Sequence, residues 1–264
     1  MQLLLSPVRY VYAALALGLL VVAGLTISTP QAHATTCPSA KFVTSNAQGS
    51  WDRNANGSGG AYNLNNNEWN GSHGPQTLFA NSVSDWGVCS DQPNLGGAVE
   101  TYPNVEVPYY DLPAGNAPIS KLTADRSMFT ETMPDPSTNF IGEAAFDLWL
   151  NNWSIEVMVW TDNHRQVPFG HKVATATFFG QNFNVWQSGS DAFAFVLDHN
   201  EQSGTVHMLS TLRWLIKHGK IPASSTLTSA QFGWEVCATS GSLVFHMSKY
   251  NNTTLPAQYS PAGK

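Results

Sequence analysis

Along much of the chain apolar and polar residues alternate with a period of two, the pattern of strands that turn one face to a core and the other elsewhere. The clearest stretches are 144–150, 153–160, 178–186, 191–197, 232–237 and 243–247. A helical period appears once. Val206, Leu209, Leu212, Leu215 and Ile216 fall on one stripe, with Ser203 or Thr205 placed to cap its start and Gly219 to end it. One helix among many strands predicts an all-β fold, a β-sandwich or jelly roll with the helix packed on the outside.

Between these stretches the sequence reads as loops. Residues 54–70 are rich in Gly, Asn and Ser, with Tyr62 and Trp69 set among asparagines, and prolines recur from Pro93 to Pro136. With no internal repeat and no Pro/Ser/Thr linker, 35–264 reads as one domain. Residues 11–27 are apolar and precede Ala32-His33-Ala34, the pattern of a secretory signal over 1–34 cleaved near Ala34. No later stretch approaches the roughly 18 apolar residues of a membrane helix. The expected product is secreted and extracellular, with no membrane segment.

Composition narrows the partner. Charged residues make up 11% of the chain, against roughly 25% in an average soluble domain, while 9 tryptophans are present. The formal net charge is -6, and no run of Lys or Arg offers a footprint for nucleic acid or an anionic membrane. A neutral partner fits better. Of the cysteines, Cys37 and Cys89 are the expected disulfide, a staple in the loop-rich N-terminal part, leaving Cys237 as an odd thiol read as a small buried apolar residue.

The strands carry acids where acids are disfavoured. In 153–160, Ile155, Val157 and Val159 form one face and Glu156, Met158 and Trp160 the other. In 144–150, Asp147 and Trp149 share the face opposite Phe146 and Leu148, and in 232–237 Glu235 lies opposite Phe232, Trp234 and Val236. Acids on the solvent face of an antiparallel sheet would give the same pattern. Two carboxyls in an aromatic-lined cleft are also what glycoside hydrolysis requires, one to protonate the leaving oxygen and one to meet the developing cation.

At these residues the chain resembles glycoside hydrolase family 12, the endoglucanases and xyloglucanases. Glu156-Val157-Met158-Val159-Trp160 is similar to the family's nucleophile strand, Glu-x-Met-x-Trp, and Phe232-Gly233-Trp234-Glu235 to its acid/base strand. Ala145-Phe146-Asp147-Leu148-Trp149 resembles the segment with an auxiliary Asp, and Asn66-Asn67-Glu68-Trp69 the early Asn-Asn-x-Trp motif. Pro168-Phe169-Gly170 resembles the Pro-x-Gly loop at the cleft edge. These motifs run in the family's order from about Cys37 to Tyr250. Trp234, Val236-Cys237 and the polar run Asp162-Asn163-His164-Arg165 depart from the usual residues and flank the cleft.

The resemblance implies a β-jelly-roll sandwich of two antiparallel sheets, concanavalin-like, with one outer helix. It implies a monomeric retaining endo-β-1,4-glucanase acting on cellulose-type glucan or xyloglucan, with no cofactor and no metal. Glu156 would be the nucleophile, Glu235 the acid/base kept protonated by the ionised Glu156, and Asp147 a hydrogen-bonding partner of Glu156. Trp69, Trp160 and Trp149 would stack on sugar rings, with Asn67 and Met158 in support. A sugar-binding β-sandwich without catalysis, an enzyme for xylan or mixed-linkage glucan, and a structural wall protein stand as alternatives. No His-Glu-x-x-His spacing and no Gly-x-Ser-x-Gly elbow occurs, so a zinc hydrolase and a serine hydrolase are not indicated.

Overall fold

In chain order, the computed structural model, which describes residues 36–93, 97–123 and 126–252, has strands β1 (Phe42–Thr44), β2 (Ser50–Trp51), β3 (Asn63–Asn65), β4 (Gln76–Ser82), β5 (Asp85–Ser90), β6 (Asn104–Val107), β7 (Ala117–Pro118) and β8 (Ser127–Thr132). Then follow β9 (Phe140–Leu150), β10 (Ile155–His164), β11 (His171–Phe178), β12 (Gln181–Ser188), β13 (Ala192–Leu197), β14 (Ser203–Val206), helix α1 (Met208–Lys217), β15 (Thr226–Thr239) and β16 (Leu243–Asn252). The expected signal over 1–34 lies outside the described residues.

Two sheets form. One has the order β1-β4-β5-β16-β8-β14; the other runs β11-β12-β13-β10-β9-β15-β6-β3-β2, with β7 attached to β15. All neighbours are antiparallel except β10 and β13. The two-residue period of each strand sorts its side chains. Phe146 and Leu148 of β9, Val157 and Val159 of β10, and Phe232, Trp234 and Val236 of β15 join Trp86, Phe129 and Phe245 from the other sheet in one apolar core. The opposite face of the larger sheet carries the acids and a separate small cluster, Ala145, Met158, Trp160 and Ala194. This is the jelly-roll sandwich the pattern predicts.

The helix lies against the core side of the larger sheet, with Trp214 packed edge-on to Phe195 of β13 at 5.7 Å. Leu209, Leu212 and Leu215 are buried as the stripe requires. Its start differs from expectation: Ser203, Thr205 and Val206 belong to β14, and the capping position falls to His207, which makes no side-chain cap. Its end is as read, with Gly219 at φ 64°. The stretch 178–186 is not one strand, because Phe179 and Gly180, both at positive φ, turn the chain between β11 and β12. The Pro-rich region read as loops also contains β6, β7 and β8.

Cys37 and Cys89 form the expected disulfide, with Cα atoms 5.7 Å apart. Cys89 sits in strand β5 rather than in a loop. Cys237 is buried and accepts a hydrogen bond from Gln166 Nε2 at 3.0 Å. Burial pushes its thiol far up, so it is no nucleophile.

Candidate active site

Three adjacent strands, β10, β9 and β15, present the candidate acids on the face of the larger sheet that points away from the core. Register fixes their relation. Glu156 stands opposite Trp149, and Met158 opposite Asp147, so Glu156 and Asp147 are diagonal neighbours. On the far side of β9, Asp147 faces Gln231 and Glu143 faces Glu235 directly. Directly opposed residues have Cβ atoms about 4.5–5.5 Å apart, closer than diagonal ones.

Exposure divides these acids into two kinds. Glu156 and Glu235 are half-buried and reach the surface of the sheet. Asp147, Glu143 and Glu106 of β6 lie beneath it, with 5%, 0% and 4% of their surface exposed. Glu106 has donors, Ser229 Oγ at 2.7 Å and Asn65 Nδ2 at 3.3 Å. Glu143 has no N–H or O–H donor on either oxygen among the described residues. Asp147 takes a hydrogen bond from Trp149, and its Oδ1 has none.

Desolvation governs the titration of the group. It drives Glu143 and Asp147 well above the usual carboxylate range, Glu143 further raised by Glu235, and Asp147 by Glu156 and Glu235. Burial, then the charges of Glu235 and Asp191, push Glu156 up to about 8. Glu235 is raised by burial rather than, as the sequence led us to expect, by the charge of Glu156, and the neighbouring Glu143 carboxyl pulls it the other way. The charge of Glu156 helps raise Asp147 across the diagonal, where the sequence led us to expect a hydrogen bond between the two.

The aromatic residues fall in different places from one another. Trp69 is 42% exposed and lies in a segment whose backbone bonds to Glu100, next to the pairing of Glu100 and Thr101 with Val236. That sets it at the Glu235 end of the floor. Asn67, at φ 46°, donates Nδ2 to the Tyr102 carbonyl at 3.1 Å. Trp149, beside Glu156, packs on Trp153 at 5.7 Å, and Trp153 on Tyr110 at 5.5 Å. Trp153 and Tyr110 are 45% and 47% exposed.

Met158 and Trp160 depart from the stacking role expected of them. They are covered, at 1% and 2% exposure, by Phe169, Trp186 and Val196, and the Trp160 indole donates to Met158 Sδ at 3.4 Å. They form the apolar part of the floor, not an open platform. Phe169 comes from the Pro-x-Gly loop. Gly170 lets it approach, because at φ 72° any Cβ there would lie 2.0 Å from the Gln187 carbonyl.

Sequence reasoning missed Glu143, Glu106, Trp153 and Tyr110. Glu143 was legible, since it has the same parity as Asp147 and Trp149, one residue before the stretch read as a strand. Trp153 was read as strand but stands in the β9–β10 turn with Asn151 and Asn152, all three at positive φ. Backbone N–H groups of that turn are held by the Thr226 carbonyl at 2.9 Å and Thr228 Oγ1 at 2.9 Å.

No family model matches the sequence. Solved structures do resemble it. A family 12 xyloglucanase from Bacillus licheniformis superposes with a TM-score of 0.68 at 21% identity, covering 80% of this chain and 98% of its own. An endoglucanase from Rhodothermus marinus gives 0.70 at 19% identity, over 80% and 97% of the two chains. The xyloglucanase domain of a type three effector from Sinorhizobium fredii, solved with cellobiose, gives 0.66 at 24%, over 80% and 100%. The fold of this chain is thus that of the family 12 glycoside hydrolases.

Proposed function

We propose that the chain is a secreted family 12 glycoside hydrolase, a monomeric retaining endo-β-1,4-glucanase for cellulose-type glucan or xyloglucan that needs no cofactor. The observation that carries this reading is the exposure pattern of the floor. Glu156 and Glu235, the two acids that match the family's reactive pair, are the ones that reach the surface, while Asp147, Glu143 and Glu106 lie beneath. The relatives by fold are named as xyloglucanases and endoglucanases, and a weakly charged, Trp-rich chain suits a neutral polysaccharide.

In the first step the Glu156 carboxylate attacks the anomeric carbon while Glu235 gives its proton to the glycosidic oxygen, and the carbon–oxygen bond breaks. In the second, Glu235 takes a proton from water, the resulting hydroxide adds to the anomeric carbon, and Glu156 leaves as carboxylate. Cation character on the sugar in both transition states favours the ionised form of Glu156, offsetting its raised pKa. Trp69 at one end, and Trp149, Trp153 and Tyr110 beside Glu156, supply faces for sugar rings.

The test is reducing-end release from carboxymethyl cellulose, xyloglucan, mixed-linkage glucan and xylan by wild type, Glu156→Gln and Glu235→Gln proteins. Cleavage of a β-1,4-glucan that disappears in both variants is the expected result. A folded wild-type protein that binds these polymers and cuts none would leave a sugar-binding sandwich as the better account.

A further inference from the structure

Glu143 is a carboxyl with no surface exposure, set directly across the β9–β15 ladder from Glu235. The two strands are pressed together there: a Cβ on the preceding Gly142 would lie 2.6 Å from the Glu235 carbonyl oxygen. Neither Glu143 oxygen has an N–H or O–H donor among the described residues. A buried carboxylate without a donor is costly, and the group can avoid that cost by keeping its proton. A neutral Glu143 has one O–H, and the acceptor opposite is Glu235.

Among the described residues around Glu143 stand Glu235 and Cys237 on β15, Tyr102 on the segment before β6, and from β10 the neutral Asn163, whose amide is bonded to Gln166. The nearby cation, Arg165, whose backbone pairs with Gly142, gives its guanidinium to Asn139 Oδ1 at 2.7 Å. Tyr102 spends its hydroxyl proton on the Ala145 carbonyl at 3.0 Å.

We propose that Glu143 is a positioning residue that stays protonated through the reaction and donates its hydrogen bond to Glu235. The inference rests on the acid/base role of Glu235 proposed above. When Glu235 gives its proton to the glycosidic oxygen it becomes a carboxylate, and the Glu143 O–H stabilises that charge in place of water. The same bond holds Glu235 as an acceptor when it takes the proton from the attacking water. Glu143 itself neither gains nor loses a proton in either step. It lowers the pKa of Glu235 toward working pH and fixes the carboxyl plane.

The pH dependence of kcat/KM on the preferred glucan tests this through Glu143→Leu and Glu143→Gln. The alkaline limb reports loss of the Glu235 proton. Leucine removes the donor, so that limb should move up by about 1 unit, the scale of a hydrogen bond to a charged group. Glutamine keeps an N–H donor and should return it to the wild-type position. A limb that stays put in Glu143→Leu, or moves down, overturns the proposal, since a merely structural carboxyl would not move it and an ionised one would lower it on removal.

A second measurement needs no turnover. Infrared spectra of the wild type at neutral pH should contain a protonated-carboxyl stretch that is lost in Glu143→Gln and shifts in Glu235→Gln. If the wild type cuts no glycan, the acid/base reading fails while this band still reports the proton on Glu143. If it cuts and the Glu143 band is missing, the proposal alone fails.

Discussion

Glu156 and Glu235 each have a buried carboxyl beneath them, but the two halves of the floor are joined differently. Asp147 lies on the diagonal from Glu156, takes a hydrogen bond from Trp149 and is itself raised by the charge of Glu156. Glu143 lies directly across from Glu235 and, in the role proposed above, donates a hydrogen bond to it. The difference matches the demands on each group. A nucleophile must be an anion when it attacks and when it leaves, and it gains nothing from a partner that competes for its lone pairs. An acid/base must alternate between charged and neutral, and a neutral donor at its side lowers the cost of the charged form.

The largest test of the contrast compares leaving groups. Glu156→Gln should lose at least about 10³-fold in kcat on both a natural glucan and dinitrophenyl β-cellobioside, because no nucleophile remains. Glu235→Gln should lose roughly 10²–10⁴-fold on the glucan yet keep the first step on the activated aryl glycoside, whose leaving group needs no proton. Stopped-flow release of dinitrophenolate then gives a burst followed by slow turnover. Equal loss on both substrates in Glu235→Gln would remove the distinction between the halves.

Exchanging the buried partner of the nucleophile should matter less. Burial and the charges of Glu156 and Glu235 raise the pKa of Asp147 and favour its neutral form, and Asn has the shape of a protonated Asp. Asp147→Asn should therefore cost about tenfold or less in kcat and leave the acid limb of the pH profile in place. Movement of that limb would mean that Asp147 carries charge in the working enzyme, and the two halves would be more alike than their register suggests.

A carboxyl that the smaller sheet sends into the core separates stability from catalysis. Glu131 of β8 lies in the core, accepts from Trp234 Nε1 at 3.0 Å, and is pushed by burial to about 8. Its pKa is raised on folding, so its favourable contribution is complete below the ordinary value of 4.5 and is lost as pH rises toward about 8. Thermal unfolding of the wild type should fall in midpoint across that window. Glu131→Gln should flatten the fall and leave the pH–activity limbs unmoved, because Glu131 faces the core and not the cleft.

How much of this could be read from the chain follows from the range of the interactions. The faces of β9, β10 and β15 were legible because parity is local: Phe146, Val157 and Phe232 point inward, and Asp147, Glu156 and Glu235 outward. The pairing of Cys37 with Cys89 was also legible. Hidden from the sequence was whatever depends on another strand. Trp160 has the parity of a cleft residue, yet Phe169 and Trp186 arrive from elsewhere to cover it. Glu143 was passed over because its meaning depends on Glu235, which is far away in the chain and opposite in the ladder. The break between β11 and β12 was missed because an apolar residue, Phe179, occupies the turn at φ 51°.

The smallest effect concerns a charge at the rim. Asp191 precedes β13, its carbonyl accepts from the Glu156 backbone N–H at 2.8 Å, and its carboxylate helps hold Glu156 up. Like charge disfavours ionisation, so Asp191→Asn should lower the acid limb set by Glu156 by a few tenths of a unit, extending activity to lower pH. Asp191 is exposed, and its field should be screened within about 10 Å at 0.1 M salt. The shift should therefore shrink as salt is added, whereas the shift caused by Glu143→Leu, which removes a hydrogen bond in a dry pocket, should not. Salt thus sorts the two contributions: a through-solvent charge acts on the nucleophile's half, and a buried bond on the acid's half. An alkaline limb that weakens in step with the acid limb would mean that Glu235 too is tuned by field alone.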